Sequence, residues 1–223
     1  YFPILQQKVY NKPLVYLDTA ASAQKPVQVL LKLEQLHNDY YGNIHRGAHY
    51  MADKATVEYE EVREKVQHFI NAASRKEIIF TKGATESINL VASSFCEKYI
   101  SEGDEIIVSE MEHHSNIVPW QIAAGKRNAK IVQLPFNDTG LLEIEKLPEL
   151  ITPKTKLIAI NHVSNVLGTI NPIAEIIKTA HQHNVAVLVD GAQASAHLKI
   201  DVQKLDVDFY AFSAHKVYGP NGV

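Results

Sequence analysis

Five short polar segments carry the side chains that could do chemistry in this sequence. Each of them follows a short apolar run of the kind that forms a buried strand. Ligands of open α/β sheets bind outside the carboxyl ends of the strands, so this spacing predicts a single active site along one edge of a sheet. The segments are Gly83-Ala84-Thr85, Glu112-His113-His114, Asn161-His162-Val163-Ser164-Asn165, Asp190-Gly191-Ala192-Gln193 and Ser213-Ala214-His215-Lys216.

The segment Gly83-Ala84-Thr85 opens a predicted helix. Free backbone N–H groups and the helix dipole make such a start a binding site for an anion, to which the Thr85 hydroxyl adds a donor. Thr85 could instead cap the helix, which is a common structural role of threonine.

Asp190 ends a very apolar strand, Val185–Val189. A carboxylate in such a place needs a partner, because burying an unpaired charge is costly. A helix cap or an ion pair with a neighbouring lysine or arginine would satisfy it. A protonated pyridine nitrogen would satisfy it as well, and the pair would strengthen the ring as an electron sink.

Lys216 follows the last predicted strand, beside Ser213 and His215 and before a Gly-Pro turn. A single lysine at a strand end is commonly solvated. A buried amine with a lowered pKa is what Schiff-base chemistry requires.

Two other residue types raise alternatives. His113 and His114 suggest a metal site, but adjacent histidines rarely ligate one ion together and no further ligand has suitable spacing, so we predict no metal. Cys96 could be a nucleophile. It lies 11 residues after Thr85 on one predicted helix, or ~16 Å along the axis, and a small buried core residue is the preferred interpretation.

Strands and helices alternate along the chain and predict a mostly parallel sheet with helices on both faces, a three-layer α/β/α architecture. The predicted strands are Glu77–Phe80, Glu105–Ser109, Lys130–Pro135, Leu157–His162, Ala186–Asp190 and Phe209–Phe212. The predicted helices are Pro26–Tyr40, Lys54–Asn71, Thr85–Ile100, Ile117–Gly125 and Ile173–His183.

The composition is that of a soluble globular protein. The 223 residues are 46% hydrophobic and carry a net charge of -3, which makes nucleic acid a poor partner. No apolar run of about 18 residues predicts a membrane span, and no signal peptide is visible. The single cysteine excludes a disulfide framework and suits a cytoplasmic location. The final turn, Tyr218–Val223, suggests a truncated chain.

Motifs that run nearly from end to end resemble the class V aminotransferase group of fold-type I pyridoxal 5'-phosphate (PLP) enzymes. Within this group the chain is most similar to Suf-type cysteine desulfurases and selenocysteine lyases. The matching stretches are Tyr16–Ala21, His45–Gly47, Gly83–Asn89, Glu112–Asn116, Val163–Gly168, Val189–Gln193 and Phe212–Lys216.

The resemblance implies a role for each matching residue. Lys216 would be the Schiff-base lysine and the proton carrier, and His113 would stack on the pyridine ring and assist proton transfer. The other implied contacts are Asp190 to the pyridine nitrogen; Gln193 to the phenolic oxygen; Ala84, Thr85, Ser213 and His215 around the phosphate; and Asn165, Ala20, Ala21 and Arg46 around the substrate.

The resemblance also implies a function: removal of sulfur from L-cysteine to give L-alanine and an enzyme persulfide for iron–sulfur cluster assembly. The implied protein is a homodimer that delivers sulfur to an acceptor protein. The persulfide cysteine and the arginine that binds the substrate carboxylate are expected beyond Val223, so this chain alone is expected not to turn over cysteine.

Several alternatives to this function stay open. The chain could belong to a selenocysteine lyase, whose substrate is L-selenocysteine. It could also belong to another class V aminotransferase or to a cysteine-sulfinate-type lyase. The chain could also be a non-catalytic, phosphate-binding module. For domains, we predict an N-terminal arm and helix over residues 1–50, which borders the active site as part of the small domain, and a PLP-binding large domain over 51–223, incomplete at its C-terminus.

Overall fold

The computed structural model describes all residues, Tyr1–Val223, and the chain divides into two compact units. The first unit comprises Tyr1–Phe80 and Ala214–Val223, and the second comprises Thr81–Ser213. These units are defined by packing within this chain, so the predicted domain boundary after residue 50 stays a prediction about the whole protein.

The first unit is mainly helical. A two-residue hairpin, β1 (Lys8–Val9) and β2 (Lys12–Pro13), precedes helix α1 (Val27–Gln35), which continues as a π-helical turn over Leu36–Tyr40. The long helix α2 (Tyr50–Ile70) begins where the His49 side chain accepts a hydrogen bond from the N–H of Ala52. Its end is marked by Asn71 in the left-handed conformation, a common way for a helix to end.

The second unit is built on a five-stranded sheet in which every pairing is parallel. In space the strands follow the order β4-β3-β5-β6-β7, and their carboxyl ends therefore share one edge. The strands are β3 (Glu105–Ser109), β4 (Lys130–Leu134), β5 (Thr155–Asn161), β6 (Ala186–Asp190) and β7 (Phe209–Ala211).

Six helices accompany this sheet, and two of them carry the sequence features of interest. Helix α3 presents its N-terminus to the end of β7, and α4 follows the segment that contains His113. The helices are α3 (Ala84–Tyr99), α4 (Val118–Gly125), α5 (Leu147–Leu150), α6 (Ile173–Gln182), α7 (Ala194–His197) and α8 (Val202–Leu205).

Both faces of the sheet are covered by apolar side chains. Alternate strand residues point to opposite faces, so Ile107 and Ile158 pack with α5 and α6, whereas Ile106 and Leu157 pack with α3 and α4. Each fully buried side chain of this size stabilises the fold by about 1.5–3 kcal/mol. The two buried layers explain why the central strands are continuous apolar runs, and they confirm the predicted three-layer α/β/α class.

Most predicted elements agree with the structure to within a few residues, and one does not. The strand predicted at Glu77–Phe80 is wrong: Arg75–Glu77 form a 3-10 turn, and the next residues have no strand partner. The carbonyl of Ile78 accepts a hydrogen bond from the Arg63 side chain instead. The apolar pattern could not reveal that donor.

A few boundaries and short elements also differ from the prediction. The first predicted helix, Pro26–Tyr40, changes from α to π geometry after Gln35. The short helices α5, α7 and α8 and the N-terminal hairpin were not predicted, because four residues or fewer give too little periodicity to detect. None of the helices has both the length and the apolar character that a membrane crossing requires.

Candidate active site

The start of α3 is hydrogen-bonded to the segment that follows β7. The backbone N–H of Ala84 donates a 2.7 Å hydrogen bond to the buried hydroxyl oxygen of Ser213. The next N–H groups of the first helical turn have no partner within the helix, and the N-cap residue, Gly83, makes no side-chain hydrogen bond to them. The second unit therefore offers an anion site made of backbone N–H groups and one serine hydroxyl.

Gly83 is the N-cap residue of α3, which shows that capping by Thr85 is wrong. Its φ of 132° and ψ of 177° lie in a region that only glycine enters without strain. Thr85 is exposed in the first turn of the helix, where its hydroxyl remains available to a ligand.

Asp190 lies at the carboxyl end of β6, between Asn161 of β5 and Ala211 of β7 in the pairing register. Its side chain is 5% exposed, and its Oδ1 accepts a 2.9 Å hydrogen bond from the N–H of Ala192. Gly191 follows without a side chain because a Cβ there would lie 2.1 Å from the ring of Tyr210. Close packing thus fixes the backbone that aims this carboxylate.

The charge of Asp190 acts on two buried neighbours. Burial is the main cause that raises the pKa of Glu112 to about 8, and Asp190 raises it further. Burial and then the same carboxylate also raise the pKa of the Tyr210 phenol. Gln193, nearly buried at the start of α7, lies three residues after Asp190. This edge of the sheet is therefore a place of negative potential that favours a cationic ligand group.

His113 stands at the start of a 3-10 turn, His114–Asn116, that follows β3. Its Nδ1 accepts a 3.2 Å hydrogen bond from the N–H of Ser115 and lies 2.8 Å from the Ser115 hydroxyl. Because Nδ1 acts as an acceptor in this arrangement, the N–H of the ring is the one on Nε2. The ring is exposed, so a ligand can reach its face. The structure assembles no group of three metal-binding side chains.

Lys216 and His215 belong to the first unit, in the 3-10 turn Ala214–Lys216. The Nδ1 of His215 lies 3.2 Å from the Ser22 hydroxyl, and its carbonyl accepts from the N–H of Ala23 and from Lys25. Burial and then the charges of Lys216 and Lys25 lower the pKa of His215. The turn is therefore a place of positive potential in which His215 is kept neutral.

The remaining predicted residues lie on loops. Ala20 and Ala21 are exposed in a turn in which the N–H of Ala21 donates to the carbonyl of Asp18. Arg46 is exposed beside His45, whose φ of 67° is left-handed. Asn165 belongs to the second unit, on the loop after β5 that is closed by a bridge between Val163 and Ile170.

Cys96 lies inside the core between α3 and the sheet, with no exposed surface. The prediction of a buried core residue is confirmed. Burial raises the pKa of its thiol to about 11, so the reactive thiolate is scarce at neutral pH.

We expect the Cys96 thiol to react with a disulfide reagent at least ~100-fold more slowly in the native chain than in denaturant, because labelling requires both exposure and ionisation. The chain has no second cysteine, so the absorbance of the chromophore released by the disulfide reagent measures the reaction of this thiol alone. Rapid labelling of the native chain would contradict the core assignment. Cys96→Ala should also leave any desulfuration nearly unchanged.

The donors and acceptors of the second unit match the charge pattern of PLP. The N–H groups of a helix start with a serine hydroxyl suit a phosphate dianion, and a buried carboxylate in a negative region suits a protonated ring nitrogen. Ala84, Ser213 and Asp190 supply these features. The residues present therefore fit this group.

The comparison with family models agrees with that fit. Residues 15–223 match the model described as aminotransferase class V. The chain belongs to this family, whose members depend on PLP.

Within this family, the chain is similar to several proteins described as cysteine desulfurases. A probable cysteine desulfurase of Halalkalibacterium halodurans is 52% identical over 222 residues, which are 100% of this chain and 55% of that protein. The crystal structure of the cysteine desulfurase CsdA from Escherichia coli superposes with a TM-score of 0.85 at 47% identity, covering 93% of this chain and 52% of that one. The protein SspA in complex with cysteine gives a TM-score of 0.87 at 33% identity, covering 94% and 59%. The chain thus spans about half the length of the curated relatives it matches.

Two contacts of interest were not found from the sequence. Ser22 contacts His215 across 193 positions of the chain, and no local pattern signals such a pair. Glu112 belongs to a sequence motif that gives this residue no role of its own. Its spacing to Ser109 and Asn116, three and four residues away, could have suggested a hydrogen-bonded loop.

Proposed function

We propose that this chain is the PLP-binding part of a cysteine desulfurase, which removes sulfur from L-cysteine and leaves L-alanine and an enzyme persulfide. The observation that carries the proposal is that one edge of the sheet has both a helix start bonded to the Ser213 hydroxyl and a buried carboxylate, Asp190. The 52% identity to a probable cysteine desulfurase supports the choice of reaction.

Eight residues would hold the cofactor under this proposal. The first turn of α3 and the hydroxyl of Ser213 would bind the phosphate, and His215 would contribute to the same contact under this proposal. The Asp190 carboxylate would keep the ring nitrogen protonated. The full set is Ala84, Thr85, Ser213 and His215 at the phosphate, Asp190, Gln193 and His113 at the ring, and Lys216 at the aldehyde carbon.

The bound cofactor supplies an electron sink for negative charge that develops at the substrate α-carbon. Lys216 would take the α-proton on its Nζ and return a proton to the product. His113 would stack against the ring and assist this transfer through Nε2, because its Nδ1 is engaged by Ser115. Under this proposal Lys216 transfers the α-proton, and His113 contacts the ring and assists that transfer.

The substrate would be held by the loops that border the site. Asn165 would face the carboxylate of L-cysteine, with the backbone at Ala20 and Ala21, and Arg46 would lie on the bordering loop. A related protein has been solved in complex with cysteine, which supports a cysteine-sized substrate.

We also propose that the protein works as a homodimer in the cytoplasm and passes its sulfur to an acceptor protein for iron–sulfur cluster assembly. These points rest on the family resemblance.

The complete gene product, supplied with PLP and L-cysteine under reducing conditions, should form L-alanine and sulfide in equal amounts. A Schiff base should give it visible absorbance, which a passive phosphate site lacks. Parallel assays with L-selenocysteine measure the preference between sulfur and selenium. Bound cofactor without alanine above a PLP-only control would refute the desulfurase proposal. Absence of the visible band would refute cofactor binding.

A further inference from the structure

Glu112 is a buried carboxyl to which the proposed function gives no role. It immediately precedes His113, and it is 8% exposed. Its carboxylate oxygens accept hydrogen bonds from the Ser109 hydroxyl, the Asn116 side-chain amide and the backbone N–H of Asn161. We call residues 110–117 the His113 loop.

These hydrogen bonds connect the His113 loop to β3 and β5 and connect Glu112 to Asn116 within the loop. Ser109 is the last residue of β3, and Asn116 closes the turn after His113. Asn161 ends β5, and its side chain also donates a 3.0 Å bond to the carbonyl of Met111. A single carboxyl therefore links two strands and the turn that carries His113.

The same carboxyl lies next to the strand of Asp190. Asn161 is the pairing partner of Asp190 across β5 and β6, and the Asp190 charge acts on Glu112. The groups that face Glu112 from β3, the turn and β5 are uncharged: Ser109, Asn116 and Asn161. His113 and His114, which follow it in the loop, are exposed.

The carboxyl has no cationic partner. Its contacts include no lysine or arginine, and a buried carboxylate beside a second carboxylate is strongly disfavoured. The Ser109 hydroxyl donates to the ionised carboxyl, and its oxygen can equally accept a hydrogen bond from the O–H of the neutral acid, whereas the two N–H groups can only donate. The environment thus accommodates a neutral acid.

We propose that Glu112 is a positioning residue, held as a neutral carboxylic acid, that fastens the His113 loop to β5 and leaves Asp190 as the ionised carboxyl at this edge. The inference rests on the proposed function only where that function gives His113 and Asp190 their chemistry. Its tests therefore use the chain without cofactor.

The ionisation of Glu112 can be followed through Trp120, the only tryptophan. This buried indole donates a 2.9 Å bond to Asn116, which donates in turn to Glu112. We expect the emission of Trp120 to change with pH around a midpoint of about 8. Glu112→Gln should abolish this transition, and the matched control Glu110→Gln, on the same loop but exposed, should retain it.

Folding stability should report the same proton. The folded pKa, about 8, lies above the value of 4.5 expected when unfolded, so the folded state binds the proton more tightly. The stability from this proton is present in full below pH 4.5 and is lost as pH rises through 8. As pH rises from 5 to 9, the free energy of unfolding measured by urea titration should therefore fall more for the wild type than for Glu112→Gln.

The positioning role is tested by amide hydrogen exchange across the His113 loop. Glu112→Ala should exchange at least ~10-fold faster than wild type, because opening a loop is governed by its local stability, and Glu110→Ala should not. If Glu112→Ala fails to fold, Asp190→Asn serves instead. Removing the Asp190 charge should lower the Trp120 midpoint.

An unchanged Trp120 transition in Glu112→Gln, an unmoved midpoint in Asp190→Asn, or unaltered loop exchange in a folded Glu112→Ala would each overturn the inference. None of these measurements requires PLP. A chain that passes them and binds no PLP would refute the proposed function and leave the role of Glu112 intact.

Discussion

Lys216→Ala in the complete gene product should lose the visible absorbance of bound PLP entirely, and borohydride should leave no cofactor attached to its polypeptide. The reason is covalent: only a primary amine forms the Schiff base, and reduction makes that bond permanent. In the wild type, peptide mapping should find the adduct on Lys216. Lys216 lies in the turn Ala214–Lys216. The charges of Lys216 and of Lys25 both act on the neighbouring His215.

Lys25 provides the matched control for this assignment. It is the other lysine beside His215, and its Nζ donates to the carbonyls of Ala23 and His215. Lys25→Met should keep the adduct on Lys216. An adduct that appears on Lys25 or on any other lysine in the wild type would show that the cofactor-binding lysine has been assigned wrongly.

Asp190→Asn should lower the turnover of L-cysteine by the complete gene product about 100-fold or more, because stabilisation of developing charge is a large catalytic contribution. An amide cannot hold a proton on the ring nitrogen by charge. Asparagine has the same size as aspartate, so the bond from the N–H of Ala192 should survive and some cofactor should remain bound. Steady-state rates at saturating PLP separate this loss from weak binding.

Asp138→Asn is the control for charge alone. Asp138 is exposed on the loop after β4, and its substitution makes the same change in net charge. We expect its turnover to match that of the wild type. Near-normal turnover in Asp190→Asn would refute the role of Asp190, and an equal loss in both variants would point to a general charge effect.

Local sequence patterns were sufficient to predict the sheet and most of the helices. Strands β3 and β6 begin and end at the predicted residues, Glu105–Ser109 and Ala186–Asp190. Both are buried on two faces, so each is a continuous apolar run with polar residues at its end. The false strand at Glu77–Phe80 has similar composition and lacks a neighbour to pair with. Pairing depends on distant residues, which a local pattern does not contain.

The candidate site shows the same division. Sequence alone determined which chemical groups this protein has and the strand ends they follow, because side-chain period and turn residues are local properties. Only the tertiary structure decided that the Ser213 hydroxyl accepts a hydrogen bond from the N–H of Ala84, 129 positions away, and that Glu112 accepts one from the N–H of Asn161. Burial and hydrogen bonding at such range set the proton affinity of a carboxyl, since they arise from residues that only folding brings together.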